Sequence, residues 1–578
     1  MASRRSFVGW RLAVRAALFA WAVGGAFGVD AAMADAPAKG GTIRLNGFQP
    51  PKSMNAYVDN FQYTQMTFQL MYETLIETDS ETSEFTPGLA SSWKVSDDAQ
   101  SFTFTLDPAA KWSDGRPVTA DDVKWTFDAV MAPDAQTGPY KAQLCDFESP
   151  LVVDERTVVF RVHHGQRHWR DLLHCGQFPI MPRHAFEGRD FNALSLEGAV
   201  VSGPYRLARL DEQVESVFER RGDWWRNAAR ERDRGRYNFD RIVMRYFADD
   251  MNAYEAFKLG KLDVYAVYTA RIMATETRGE KYDRNHIRVR RVANQRPCGF
   301  QGFAMNMRRP PFDDLRVRKA MAQLIDRETM NRTLMYSQYF LHRSYLESLY
   351  DARHPCGNVF WKYDPAAAAK LLDEAGWTLD PGTGRRTKEG RSFAFTFLSR
   401  SASEDKFLAP FAAALKDVGI EMSIVRKDLT GWARDMDEFN FDMTWSAWGS
   451  SVFPNAEPLW SSREADRKSG CNYTGFASKE VDALIEEEKS EFDVERRAEI
   501  NRRIDALIAE QVPYVLLWNI NSTRLLYWNK FGMPEAPLGR FGTETEIPYY
   551  WWYDADAAEE LRTGDWLPSI PVEARYGK

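Results

Sequence analysis

Segments with the two-residue period of a strand alternate along the chain with segments that have the period of a helix. Between Phe239 and Tyr265 the order is strand, helix, strand. Strand patterns at Phe393 to Leu398 and Ile420 to Val425 flank a helix pattern from Phe407 to Leu415. This alternation predicts an α/β fold. Because 578 residues exceed what one hydrophobic core supports, we expect two or three lobes.

Local signals mark the ends of two of the predicted helices. Thr119 is placed to cap one helix, with Asp122 three positions later near the positive helix end. Asp364 precedes Pro365, a residue favoured at the first helical position, and Gly376 is suited to the position after the helix end. We therefore predict helices that begin after Thr119 and Asp364.

The first 36 residues have the character of an export signal rather than of a folded domain. A positive region with Arg4 and Arg5 precedes the apolar run from Ala16 to Val29, and small residues suited to cleavage follow at 32–36. Residues 3–8, "SRRSFV", resemble the twin-arginine pattern. Twin-arginine export and ordinary Sec export both remain open. We expect the mature protein in the periplasm of a Gram-negative bacterium.

Charge and composition restrict the classes of function. The formal net charge is −7, which does not provide the basic footprint of a nucleic-acid binder. No segment after the export signal has 18 consecutive apolar residues, so no membrane span is predicted. An oxidising compartment permits disulfides, but five cysteines leave at least one unpaired, and their connectivity stays open. The five are Cys145, Cys175, Cys298, Cys356 and Cys471.

Motifs of catalysis and of cofactor binding are missing from the sequence. It contains no GxSxG elbow, HExxH, Walker A loop or GxGxxG turn, so we expect neither an enzyme nor a cofactor. Histidines cluster in one region, where His164 and His168 would share a helix face and could hold a metal. The cluster comprises His163, His164, His168, His174 and His184, beside Cys175. No further ligand is identifiable, and a polar loop is the simpler interpretation, so no metal site is predicted.

The segment "DMTWSAWGSS" at 442–451 places two indoles among residues with almost no side chain. Trp445 and Trp448 are separated by Ser446 and Ala447. Such rings could fill a core, or they could form a platform beside open space. Small neighbours cannot fill the volume beside two indoles, which favours the platform. On this hypothesis, Trp448→Ala weakens ligand binding and leaves the stability of the unliganded protein nearly unchanged.

Several segments resemble, in family order, the family 5 solute-binding proteins, the dipeptide and oligopeptide receptors of ABC importers. The segments are "KWSDGRPVTADDVKWTFDAV", "SGPYRL" with "ERRGDWW", "FDRIVMRYFADDMNAYEAFKLGKLDVY", "NMRRPPFDDLRVRKAMAQLIDRE", "DPAAAAKLLDEAGW" and "VPYVLLWN". They extend from about residue 40 to about residue 530. The segment "DRETMNRTLMYSQY" at 326–339 looks most similar to the Yej-type branch, which is associated with oligopeptides and peptide antibiotics.

The resemblance implies a two-lobed α/β fold, the periplasmic-binding-protein type II fold of cluster C. Lobe one would comprise 37–297 and 520–578, with an extra subdomain at about 63–195. Lobe two would comprise 298–519, and two crossing strands would form the hinge. In such proteins the ligand lies between the lobes and is enclosed when they close.

The same resemblance implies where the ligand binds. "TWSAWGSS" lies where the second lobe of the family lines the cleft, and Trp445 matches a position that touches ligand. Trp448 stands where the peptide receptors have an aspartate that holds the peptide amino terminus. Asn60, Phe61 and Gln62 would line the facing edge of lobe one, and Trp518 would lie near the hinge. With Ser446 and Ala447, these residues are the predicted ligand site.

Three functions are consistent with the sequence. The leading hypothesis is a receptor that passes a peptide or peptide-like solute to the permease of an ABC importer, acting as a monomer. The alternative is a receptor for an oligosaccharide or another uncharged solute, stacked on Trp445 and Trp448. A secreted hydrolase on the same lobes is the third, and no motif supports it.

Overall fold

The computed structural model describes residues 37–563, apart from 60, 164, 196–198, 230–232 and 234. At 62, 63, 228, 229 and 429 only the backbone is described. The predicted export signal at 1–36 and the predicted site residue Asn60 lie outside the described residues. Of the predicted site residue Gln62, the structure describes only its place as the first residue of a helix.

The strands are mostly short and belong to several sheets. They are β1 Thr42–Phe48, β2 Ile76–Thr78, β3 Phe85–Pro87, β4 Ala90–Val95, β5 Ser101–Leu106, β6 Leu151–Asp154, β7 Thr157–Arg161, β8 Tyr205–Asp211, β9 Glu215–Arg220, β10 Arg241–Tyr246, β11 Val264–Ala266, β12 Ile287–Ala293, β13 Phe300–Met305, β14 Phe340–Leu341, β15 Thr378–Asp380, β16 Arg385–Lys388, β17 Arg391–Ser392, β18 Ala394–Ser399, β19 Glu421–Arg426, β20 Met443–Trp448, β21 Tyr514–Leu516, β22 Trp518–Asn519, β23 Ser522–Trp528, β24 Phe531–Gly532 and β25 Trp552–Tyr553.

The helices range from single turns to 18 residues. They are α1 Gln62–Met71, α2 Ala120–Met131, α3 Gly138–Leu144, α4 Trp169–Gly176, α5 Arg183–Phe186, α6 Arg226–Ala229, α7 Asp250–Lys258, α8 Glu280–Asp283, α9 Leu315–Gln323, α10 Arg327–Leu334, α11 Pro365–Glu374, α12 Asp405–Asp417, α13 Leu429–Asp437, α14 Glu457–Trp460, α15 Lys479–Ser490, α16 Val494–Gln511, α17 Ile547–Tyr550 and α18 Ala555–Thr563.

The predicted helix ends are confirmed by their hydrogen bonds. The Thr119 hydroxyl accepts from the backbone N–H of Asp122, and the Asp122 carboxylate accepts from the backbone N–H of Thr119, which forms a capping box on α2. Asp364 caps α11 by accepting from the N–H of Ala367. Gly376 follows the end of α11 with a φ of +84°, a conformation that glycine adopts without strain.

A five-stranded mixed sheet forms the centre of one half of the molecule, in the order β19-β18-β20-β13-β21. β18 is parallel to both of its neighbours, whereas β13 is antiparallel to β20 and β21. Phe303, Phe397 and Phe411 form the core between this sheet and α12, with centroids 5.0 Å and 5.4 Å from the ring of Phe303. The predicted strand–helix–strand order from Phe393 to Val425 is therefore confirmed.

The other half contains the sheets β1-β10-β9-β8, β11-β23-β12 and β4-β5-β7-β6. Their apolar faces share a large core that includes Phe102, Phe104, Phe160 and Trp112. The chain passes between the halves twice, from β12 to β13 through 294–299 and from β22 to β23 through 520–521. Two chain segments therefore connect the halves side by side.

The predicted late strand "VPYVLLWN" is divided in the structure. Tyr514–Leu516 pairs with β13, whereas Trp518–Asn519 pairs with β14. At Leu517 the chain leaves one sheet for the other, with its N–H donating to the carbonyl of Gln301. The sequence pattern does not reveal this change, because both pieces are buried.

Candidate functional site

The predicted residues Trp445 to Trp448 form the C-terminal part of β20, which is the middle strand of the five-stranded sheet. Successive side chains of a strand point to opposite faces, so Trp445 and Ala447 share one face and Ser446 and Trp448 share the other. β13 pairs with β20 along its whole length, but β18 pairs with it only at Met443 and Thr444. Among the described residues, no strand pairs with the second edge of β20 from Trp445 onward.

Trp445 lies in a group of aromatic rings on the α12 face of the sheet. Its ring centroid is 5.5 Å from those of Phe303 and Phe407 and 6.0 Å from that of Trp518. Its indole N–H donates to the Gln301 side-chain oxygen at 3.0 Å. Trp445 is half-buried, whereas Trp518 is buried. The structure thus brings two of the predicted site residues together.

Trp448 packs on the opposite face of the same strand. Its indole N–H donates to the Tyr514 hydroxyl at 3.0 Å, and its ring centroid is 4.9 Å from that of Tyr473. Burial raises the pKa of Tyr514, so the hydroxyl that accepts this bond is neutral. Trp448 is half-buried and does not share a face with Trp445. The sequence alone could have predicted this arrangement, because residues three positions apart in a strand lie on opposite faces.

The other predicted site residues that the structure describes differ in their burial and hydrogen bonding. Ala447 is exposed, and Ser446 is buried with a hydroxyl that has no hydrogen-bond partner among the described residues. Phe61 is half-buried just before α1, and its backbone N–H donates to the Asp59 carboxylate at 3.1 Å. The exposed residue Ala447 and the half-buried ring of Trp445 are the surfaces that a solute could contact.

A cavity of about 560 Å³, which we call the interface cavity, lies between the two halves. Thr82, Trp169 and Arg540 form one wall, Phe453 and the residues of α16 form the other, and 294–298 lies between them. None of the predicted site residues whose side chains the structure describes lines it. The sequence does not indicate this cavity, because its walls come from segments far apart in the chain.

Contacts between α4 and the opposite half close one end of the interface cavity. Arg170 donates to Glu488 of α15 at 2.9 Å and to the Pro454 carbonyl, and the Trp169 indole N–H donates to the same Glu488 oxygen at 3.3 Å. The Trp169 and Phe453 ring centroids are 5.2 Å apart. Burial lowers the pKa of Arg170, although Glu488 opposes the shift. We call this group the α4–α15 contact.

The histidine cluster does not form the predicted helix face. α4 begins at Trp169, so His168 precedes the helix, and His164 lies outside the described residues. The prediction of a shared helical face is therefore wrong for His168, because the helix starts one residue too late. Burial lowers the pKa of His174 to about 4, and His184 bonds to Asp114 at 2.8 Å. The part of the chain that the structure describes contains no metal-binding group of three or more His, Cys, Asp or Glu.

The five cysteines are all free thiols in this structure. Cys298 lines the interface cavity, and burial raises its pKa to about 11, which keeps it in the unreactive thiol form. No helix within the described ranges is long and apolar enough to cross a membrane.

Comparison with known proteins places these features in context. The family model for bacterial extracellular solute-binding proteins, family 5 Middle, matches residues 84–470. The chain is 28% identical to "Probable peptide-binding protein YejA" of Agrobacterium fabrum, covering 89% of each chain. It is 27% identical to "Peptidoglycan-binding protein YepA" of the same organism, covering 84% of each.

A solved structure shares the fold. The oligopeptide-binding protein AppA from Bacillus subtilis, solved in complex with a nonapeptide, superposes with a TM-score of 0.66. The match covers 89% of this chain and 99% of that one, at 20% sequence identity. The predicted two-lobed fold is thereby confirmed.

Proposed function

Because the chain belongs to the bacterial extracellular solute-binding proteins of family 5, we propose that it is the periplasmic receptor of an ABC importer. In this proposal it captures a peptide or peptide-like solute between its lobes and delivers it to the membrane permease. The protein acts as a monomer and performs no chemistry on the solute. The export signal predicted at 1–36 supports the periplasmic location.

The free edge of β20 is the observation that carries the peptide assignment. From Trp445 onward, this edge has no strand partner among the described residues, while the other edge is fully paired with β13. An unpaired strand edge offers N–H and C=O groups to an extended peptide, which adds to the sheet as a further strand. Ala447, an exposed residue, lies on this part of β20.

The relatives support the same class of solute. One curated relative is named a peptide-binding protein, another a peptidoglycan-binding protein, and the AppA structure contains a nonapeptide. Trp448 brings no charge for the amino terminus of a peptide. The site therefore suits a peptide-like solute whose amino end is blocked at least as well as a free peptide.

The oligosaccharide alternative loses its main support from the geometry of the two tryptophans. It rested on stacking of the solute on Trp445 and Trp448, and on Trp448 in place of the aspartate that holds a peptide amino terminus. Their rings lie on opposite faces of β20, and Trp448 is already in contact with Tyr473 and Tyr514. One sugar ring cannot stack on both indoles, so only the missing charge at Trp448 still favours this alternative.

The proposal includes the division into lobes. Lobe one comprises 37–297 and 520–578, with its subdomain at about 63–195, and lobe two comprises 298–519. The hinge then coincides with the two segments that connect the halves. Solute binding selects the closed form, because the solute contacts both lobes only there. The facing residues Asn60, Phe61 and Gln62 remain part of the proposed site, together with Trp445, Ser446, Ala447 and Trp518.

A calorimetric titration tests this function. Purified mature protein is titrated with a pool of short peptides and, separately, with a pool of oligosaccharides. Heat of binding from the peptide pool alone is the expected result. Binding of oligosaccharides without peptides would reject the assignment, and cleavage of either pool that survives further purification would reject a pure receptor.

A further inference from the structure

Four arginines line the interface cavity without an ion pair between their guanidinium groups and a described carboxylate. They are Arg296 in the connecting segment, Arg497 and Arg502 on α16, and Arg540 on the opposite wall. Among the described residues, no carboxylate oxygen lies within 4.0 Å of any of these guanidinium groups. A fifth arginine of the lining, Arg353, pairs with Asp351 at 3.4 Å.

Neutral acceptors hold three of these side chains in place. Arg296 donates to the Ile520 carbonyl at 3.1 Å, and Arg502 donates to the Leu349 carbonyl at 3.3 Å. Arg540 donates to the side-chain oxygen of Gln295 at 2.7 Å. Carbonyl and amide oxygens orient a guanidinium group but do not neutralise its charge.

Arg497 is the buried member of the set, with only 7% of its surface exposed. It donates to the carbonyls of Glu491 and Phe492, and its guanidinium carbon lies 3.8 Å from the ring centroid of Trp169. Burial lowers its pKa to about 10, so it remains a cation at neutral pH. Glu488, Glu491 and Asp493 favour this cation from a distance but form no ion pair with it, so an anion in the cavity would compensate further for its desolvation.

The acidic residues of the cavity wall are mostly engaged elsewhere. Glu347 accepts from the backbone N–H groups of Arg343 and Ser344, and Asp351 forms a turn with the N–H of His354. Glu488 belongs to the α4–α15 contact. Glu495 also lines the cavity but is exposed to water, which screens its charge.

We propose that the interface cavity binds an anionic group of the solute, a carboxylate or a phosphate, through Arg296, Arg497, Arg502 and Arg540. This inference rests on the proposed function in taking the solute to be peptide-like, and it adds that the solute is acidic. Because Arg540 and α16 belong to opposite walls, an anion held by both favours the closed arrangement of the lobes. Guanidinium groups bind carboxylates and phosphates through paired N–H donors.

Two matched peptide pools provide the test. One pool carries Asp and Glu residues, and the other carries Asn and Gln at the same positions. The variants are Arg502→Gln and Arg540→Gln, which change half-buried and exposed side chains and therefore fold more safely than a change at Arg497. Arg503→Gln is the control, since Arg503 is the next residue of α16, is exposed and does not line the interface cavity.

We expect the wild-type protein to bind the acidic pool about 10- to 100-fold more tightly than the neutral pool. Arg502→Gln and Arg540→Gln remove most of this preference, and Arg503→Gln retains it. Equal affinity for both pools, or an unchanged preference in both variants, overturns the inference.

A second arm separates this inference from the proposed function. Citrate and inorganic phosphate are titrated into the same proteins. If neither peptide pool binds, the peptide assignment fails; binding of citrate or phosphate that Arg502→Gln abolishes and Arg503→Gln preserves still supports the anion site. The ion that binds distinguishes carboxylate from phosphate recognition. If neither ion nor peptide binds, the anion site is rejected as well.

Discussion

Trp445 and Trp448 lie on opposite faces of β20, although only Ser446 and Ala447 separate them. Trp445 joins the rings of Phe407 and Trp518, whereas Trp448 donates its N–H to Tyr514. The two indoles therefore have different roles. The first lies beside the free strand edge proposed to bind peptide, and the second holds β20 to the strand that contains Tyr514.

This difference changes what we expect from substitutions. Trp448→Ala should lower the free energy of unfolding by about 1–3 kcal/mol, because it removes a hydrogen bond and a half-buried ring. Trp445→Ala should instead weaken peptide binding by about 10-fold or more, because that ring lies beside the solute. Chemical denaturation and calorimetry on both variants measure the two effects. If Trp448→Ala weakened binding without loss of stability, the platform hypothesis drawn from the sequence would be correct.

Glu488→Gln should loosen the α4–α15 contact. The substitution removes the acceptor charge that faces Arg170, and both Arg170 and Trp169 are largely buried. Loss of one member of a buried ion pair costs about 3–5 kcal/mol, and hydrogen exchange in α4 and α15 should rise accordingly. Glu487→Gln is the matched control, because Glu487 is exposed on the same helix. If α4 and α15 were equally protected from hydrogen exchange in the two variants, the α4–α15 contact would contribute little to stability.

Gly299→Ala should displace the end of β20. A Cβ at this position would lie 1.6 Å from the Trp448 carbonyl oxygen, so the connecting segment or the strand must move. We expect a loss of at least about 2 kcal/mol in stability, together with weaker peptide binding. Gly449→Ala is the control, because a Cβ there meets nothing within 4 Å. Thermal unfolding measures the stability of both variants, and calorimetry measures their peptide binding. Indistinguishable melting temperatures of the two variants would contradict the prediction.

Stability should depend on pH through Glu546. Burial raises its pKa from 4.5 to about 7, Arg236 opposes this shift and Glu81 adds to it. A carboxyl group whose pKa is higher in the folded state stabilises fully below about pH 4.5 and loses that contribution as the pH rises through about 7. Glu546→Gln should therefore stabilise the protein by about 1–2 kcal/mol at pH 8 relative to wild type, with little gain at pH 4.5.

Melting curves at pH 4.5 and pH 8 test this expectation. Glu535→Gln, a change at an exposed carboxylate, serves as the control and should shift neither curve. If Glu546→Gln raised the melting temperature equally at both pH values, the effect would not come from the titration of Glu546.

Export should depend on Arg4 and Arg5 if the twin-arginine route is used. Replacement of both by Lys keeps the positive charge but removes the paired guanidinium groups of the pattern. We then expect precursor to accumulate in the cytoplasm, as seen by fractionation and immunoblotting. Normal arrival of mature protein in the periplasm would assign the signal to the Sec route.

The sequence by itself determined the α/β class, the order of many elements and several helix ends. The capping box of Thr119 and Asp122 and the glycine after α11 were predictable, because they depend on residues within one helical turn. Strands such as β18 and β19 were predictable for the same reason, since their period is local. The family motifs, which occur in order along the chain, also allowed the two-lobed fold to be predicted.

Only the tertiary structure decided which distant residues meet. Arg296, Arg497 and Arg540 line one cavity, and Glu488 meets Arg170 across more than 300 positions of sequence. No local period encodes such meetings, because they follow from how sheets and helices pack in three dimensions. The division of "VPYVLLWN" between two sheets and the start of α4 at Trp169 were likewise set by packing and hydrogen bonding to remote strands and turns.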